Sequence, residues 1–152
     1  MEREYKDYYE DCLNKGLEYQ DFIATVLLKE LGIPLSSLNS KKYQYEVGEN
    51  LQGIEIKFDD MYKKTGNLYI EVKEKADPKN NSYATSGIFR NDNTWLYIIG
   101  DYENIFIFGK SHLQLMYKSS NYREVTTATS VGFLIGNEDA KKYALKYINY
   151  KE

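Results

Sequence analysis

Two runs of strict alternation, lying close together, constrain this chain most. Ile54, Ile56 and Phe58 alternate with Glu55, Lys57 and Asp59. After Lys64-Thr65-Gly66-Asn67 the pattern resumes, with Leu68, Ile70 and Val72 set against Tyr69, Glu71, Lys73 and Lys75. A period of two belongs to strands buried on one face. Two such runs around a Gly-Asn turn predict an antiparallel hairpin. Its apolar face must turn inward, which gathers carboxylates and lysines on the other face of two neighbouring strands. Register alone leaves open whether Asp59 or Asp60 meets Glu71, because a one-residue slip exchanges the faces. Alternation from Phe58 favours Asp59.

Around this pair the rest of the chain reads as a mixture of helix and strand. Tyr19, Phe22, Ile23, Val26, Leu27 and Leu31 recur at helical spacing and predict a helix from about Gly16 to Leu31, stopped by Gly32 and Pro34. A short strand is expected over Tyr43–Val47. The polar stretch Ala76–Asn93 is long for an ordinary connection and is expected to be a functional loop. Strands follow at Trp95–Ile99, Asn104–Phe108, Tyr122–Thr126 and Val131–Ile135. Helices are expected at Ser111–Tyr117 and from Glu138 to about Ile148. The order describes an α+β (α/β-like) domain, a central mixed sheet with flanking helices.

The 152 residues fit one domain, 1–152, and a hydrophobic content of 42% suffices for one buried core. No run approaches the roughly 20 apolar residues that cross a bilayer, and the first sixteen residues do not resemble a signal peptide. Cys12 is the only cysteine, which excludes an intrachain disulfide and a cysteine zinc cluster. A reducing cytoplasm is therefore expected. The net charge of -3 argues against a global field for nucleic acid, so any such surface must be a local patch. Sixteen tyrosines suit half-buried strands, and some of them suit stacking on bases.

Acidic residues on one strand opposite a Glu-x-Lys triplet suit phosphodiester hydrolysis. That reaction needs hard divalent cations to activate water and neutralise the phosphate. Magnesium takes one or two carboxylates plus water. A neighbouring lysine can orient the attacking water and offset charge in the transition state. Glu55-Ile56-Lys57 is a rival triplet, but the stretch before it offers no acid on a partner strand. A charge-laced exposed sheet face is the alternative without chemistry.

Asp59 followed by Glu71-Val72-Lys73 resembles the motif of the PD-(D/E)XK, restriction-endonuclease-like nucleases, with Phe58 where the motif has proline. The longer runs Gly53–Asp59, Gly66–Glu71, Ser86-Gly87-Ile88 and Thr94–Tyr97 are similar to small phage or mobile-element members. The resemblance implies a restriction-endonuclease-like core and a Mg²⁺-dependent DNA endonuclease, with Mn²⁺ able to substitute. It implies Asp59 and Glu71 as metal ligands, Lys73 as the residue that positions water, and Glu18 of the first helix as a further metal ligand. Lys57, Thr85, Ser86 and Arg90 are expected to contact the DNA backbone. Duplex cutting commonly takes two active sites, so a homodimer is a reasonable expectation.

A catalytically inactive module of the same fold, binding DNA or a protein partner, is the second reading, and the low net charge favours it slightly. An inhibitor with an acidic surface is disfavoured because lysines interleave the carboxylates. His112 reads as a capping or surface residue. Neither a phosphate loop nor a dinucleotide fingerprint nor a Gly-x-Ser-x-Gly elbow occurs.

Overall fold

The computed structural model describes residues 2–36 and 46–151. Helix α1 (Glu2–Leu31) runs well ahead of the expected start near Gly16, because the residues before it contain neither proline nor glycine to stop a helix. Its second half carries the apolar stripe: Tyr19, Ile23, Val26 and Leu27 are almost fully buried. Gly32 adopts a left-handed φ of 66°. Its N–H reaches Leu28 and that of Ile33 reaches Leu27, each at 3.1 Å, which closes the helix end before Pro34. The strand expected over Tyr43–Val47 lies largely outside the described residues, and Val47 sits in a turn.

Among the described residues, eight strands form two sheets. The first contains β1 (Ile54–Phe58), β4 (Leu96–Gly100), β5 (Asn104–Gly109) and β8 (Lys146–Asn149), in the order β1-β4-β5-β8. The second contains β2 (Asn67–Glu74), β3 (Ala84–Thr85), β6 (Glu124–Thr126) and β7 (Ser130–Gly136), in the order β3-β2-β7-β6. The second sheet is antiparallel throughout, whereas the first is mixed, since β1 runs parallel to β4. Further helices among the described residues are α2 (Tyr62–Thr65), α3 (Lys110–Lys118) and α4 (Asn137–Tyr143), with a 3₁₀ turn at Gly87–Phe89. The α+β class and the mixed sheet expected from the sequence are both present. Among the described residues, no helix is long and apolar enough to cross a membrane.

Two expectations are corrected. The first is the hairpin. Both alternating runs are strands, but they do not pair: β1 bonds to β4 from Ile54↔Leu96 to Phe58↔Gly100, and β2 bonds to β7 and β3. The intervening chain is not a tight turn. Asp59, Asp60 and Met61 lead into the single turn of α2, which carries the chain from one sheet to the other. The second correction concerns the C-terminal helix, which stops at Tyr143. Ala144 turns extended, and Lys146–Asn149 joins β5 as strand β8. Pairing of Ile148 with Ile105 and stacking of Tyr147 on Phe106 bury apolar side chains that a continued helix would leave in water.

The core has two layers. Ile54 and Ile56 of β1 join Ile98, Ile105, Ile107 and Ile148 beneath α1. On the other side, Tyr97, Ile99, Phe106 and Phe108 meet Leu68, Ile70 and Val72 of β2 and Val131, Phe133 and Ile135 of β7. The first sheet is thus covered on both faces. Glu55 of β1 therefore points into protein and is only 3% exposed, while the Lys57 side chain keeps 40% of its surface open.

Candidate active site

Asp59 closes β1. Its N–H donates to the carbonyl of Gly100 at 2.8 Å, and its own carboxylate turns toward β2. One oxygen accepts the N–H of Met61 at 3.1 Å and the other accepts that of Tyr69 at 2.9 Å. These bonds fix the carboxylate between the sheets and partly offset the burial that pushes its pKa upward. Each oxygen keeps lone pairs free for a further partner. Asp60, next in sequence, is exposed.

Glu71 stands on β2, with half-buried surroundings and one oxygen accepting from the hydroxyl of Ser86 at 2.9 Å. Ser86 is itself buried. It is followed by a 3₁₀ turn, Gly87–Phe89, pressed against β2. Gly87 has a φ of +54°, and a Cβ there would fall 2.1 Å from the carbonyl oxygen of Glu71. Only glycine admits this approach. Burial raises the pKa of Glu71, while the Lys57 ammonium works in the opposite direction.

Lys57 is the hub of the charges. Its ammonium lies 3.3 Å from one oxygen of Glu55 and interacts with Glu49 and Glu71 as well. Burial works against its charge, yet these three carboxylates outweigh burial and raise its pKa. The second oxygen of Glu55 is buried without a hydrogen-bond partner. Desolvation pushes this carboxyl up to about 7. Glu49 is also raised by burial, against the charges of Lys57 and Arg90.

Lys57, Asp59 and Asp60 share the lining of one cavity of about 620 Å³ with Tyr69 and Glu71, while Tyr97 and Ile99 supply an apolar wall. Asp59 and Glu71 thus border the same space although their strands belong to different sheets. Lys73 does not line it. A bulge breaks the β2–β7 register between Glu71 and Lys73, and bulges re-aim the side chains beside them. The Lys73 ammonium sits over the Tyr83 ring, 5.0 Å from its centroid, with Lys75 over the same ring.

The other residues singled out by sequence are dispersed. Glu18 is exposed on α1 and is not part of the cavity lining. Thr85 is exposed on β3, paired with Lys73. Arg90 lies beyond the 3₁₀ turn, 3.7 Å from Asp92, and its charge reaches Glu49. The segment Ala76–Asn93, expected to be a loop, also includes β3 and the 3₁₀ turn, and it borders Glu71 through Ser86. His112 is exposed on α3 near Tyr143. Glu49 carried no sequence signal, because it lies ahead of β1 in irregular chain. The closeness of Glu55 to Lys57 was visible as the rival Glu-x-Lys triplet.

Comparisons with family models, with curated proteins and with solved structures returned no match for this chain. Among the described residues, no three His, Cys, Asp or Glu side chains converge as a ready-made metal cage. Magnesium does not require one, since it keeps several waters and takes one or two carboxylates. The donor set fits such an ion. It is all hard oxygen, Asp59 retains free lone pairs, and Asp59 and Glu71 border the same space.

Proposed function

We propose that this protein is a divalent-metal-dependent nuclease acting on DNA, of the PD-(D/E)XK kind, with a restriction-endonuclease-like core. One observation carries the reading: Asp59 and Glu71, from strands of separate sheets, border one cavity together with Lys57. Asp59 and Glu71 would hold Mg²⁺ or Mn²⁺. When bound, the ion supplies acidified water and neutralises charge on the phosphate.

The chain's own residues do the rest. Backbone N–H groups of Met61 and Tyr69 hold the Asp59 carboxylate in one orientation, and Ser86 holds that of Glu71. Glu55 keeps the Lys57 ammonium at the cavity, where it can orient water and offset charge that develops on the phosphoryl oxygens. Lys57 takes this role in preference to Lys73, because Lys57 borders the cavity. Tyr97 and Ile99 exclude bulk water from one wall, which strengthens each of these interactions. Glu18, exposed on α1, has no part in this reading. Cytoplasm is the compartment that fits a chain whose only cysteine is free and exposed.

The second reading, a module of this fold that binds DNA or a protein without cutting, draws support from the net charge of -3. A plasmid-nicking assay with Mg²⁺, Mn²⁺ or EDTA, run beside single-stranded and branched DNA, separates the two. Metal-dependent cleavage that disappears in Asp59→Asn and Glu71→Gln is the expected result. DNA binding with no cleavage under any metal would leave only the binding module.

A further inference from the structure

A second space lies beside the cavity at Asp59 and Glu71. This groove, of about 840 Å³, shares Tyr8 and Thr127 with the cavity and runs between the N-terminal half of α1 and the end of β2. Tyr8 and Tyr9 form the α1 side, and both are largely exposed, at 67% and 60%. The opposite side carries Lys75, Asn80, Ser82 and Thr129, and Glu74 is its acidic residue among those described. Lys75 is held in place by the carbonyl of Asn80 at 3.0 Å and by the Tyr83 ring.

The geometry points to a single-stranded nucleic-acid track: one strand enters the cavity at Asp59 and Glu71 and continues along this groove, its bases stacking on Tyr8 and Tyr9. Size, exposed rings and sparse charge all favour a single strand. Each space lies within the roughly 300–1,000 Å³ in which proteins enclose small organic ligands, which suits successive nucleotides and not a whole duplex. Exposed rings can stack only on bases whose faces are open, and a duplex hides those faces. Duplex DNA also demands the denser neutralisation, and a chain of net charge -3 with few lysines beside the groove offers little of it. Aromatic stacking with sparse phosphate contacts is how sequence-tolerant single-strand sites work.

The inference rests on the nuclease reading for its direction of travel, so its test separates the two. Fluorescence anisotropy in EDTA, where metal-dependent cutting cannot proceed, compares a labelled oligothymidylate with a labelled duplex of equal length. The single strand is expected to bind at least tenfold more tightly. Tyr8→Ala and Tyr9→Ala should each weaken it about 5- to 100-fold, and Tyr9→Phe should keep the parental affinity. The exposure of both rings leaves the melting temperature as a clean control. Equal or tighter binding of the duplex overturns the track, as do alanine variants of parental affinity. Stacking-dependent binding of the strand without cleavage in Mg²⁺ supports the track and removes the nuclease reading. Metal-dependent cleavage of duplex alone, unchanged in the alanine variants, does the reverse.

Discussion

Replacing Glu55 by glutamine should stabilise the protein, and only above a definite pH. Glu55 is buried, one of its oxygens has no partner, and its pKa rises from 4.5 to about 7. The folded chain therefore holds this proton more tightly than the unfolded chain does. Stability contributed by the neutral form is complete below about pH 4.5 and drains away as pH climbs through about 7. The displacement corresponds to about 3 kcal/mol. Glutamine imitates the neutral carboxyl at every pH, so Glu55→Gln should match the parent in acid and exceed it by about 3 kcal/mol in mild alkali. For a chain of this size, that is about 6–12 °C in melting temperature. Urea titrations of both proteins in EDTA, repeated across the window, measure the difference directly. Asp59 and Glu71 are raised in the same direction and are common to both proteins, whereas the Glu49 charge acts on Glu55 directly and belongs to the measured difference. A difference that stays flat with pH, or a variant weaker in alkali, would mean that Lys57 compensates the Glu55 charge in full, and the reasoning would fail.

Three other substitutions test the site from different sides. Lys57→Ala should lower the cleavage rate about 10²–10⁴-fold while Lys73→Ala, outside the cavity, stays within a few-fold of the parent, both read by single-turnover plasmid cleavage on protein shown to be folded by circular dichroism. The opposite ranking would return the lysine role to the Glu71-Val72-Lys73 triplet. Gly87→Ala should cost about 3 kcal/mol, from a disfavoured left-handed φ and a forced shift of the Glu71 backbone, and should reduce cleavage as well. Parental melting temperature in that variant would show that the 3₁₀ turn is free to move away from β2.

Much of this arrangement was legible in the residues. Alternation located β1 and β2 and set Ile54, Ile56 and Phe58 opposite Glu55, Lys57 and Asp59. It also marked Asp59 and Glu71, which the fold brings to one cavity. What alternation cannot encode is the identity of a strand's partner. Gly66-Asn67 looked like a hairpin turn, but the one turn of α2 just before it sends β2 into another sheet. The β2 bulge was equally silent, because burial along Leu68, Ile70 and Val72 keeps its period of two across it. The strand β8 lies inside the helix expected from Glu138 to about Ile148, separated from the real helix by Ala144 and Leu145 alone.

The split of the acidic pair between sheets also has a consequence in time. Strand β1 is placed by parallel pairing with β4, and the sheet they share also takes in β8, the last of the described strands. Glu71 is placed separately by β7 and by the turn at Gly87. Neither half can be built from neighbouring residues alone, and long-range parallel pairing is among the slower events in folding. The two carboxylates come to border one cavity only after both sheets have formed and closed on each other. A chain caught part-way, or cut short before Lys146, would carry every one of these residues and still lack the site.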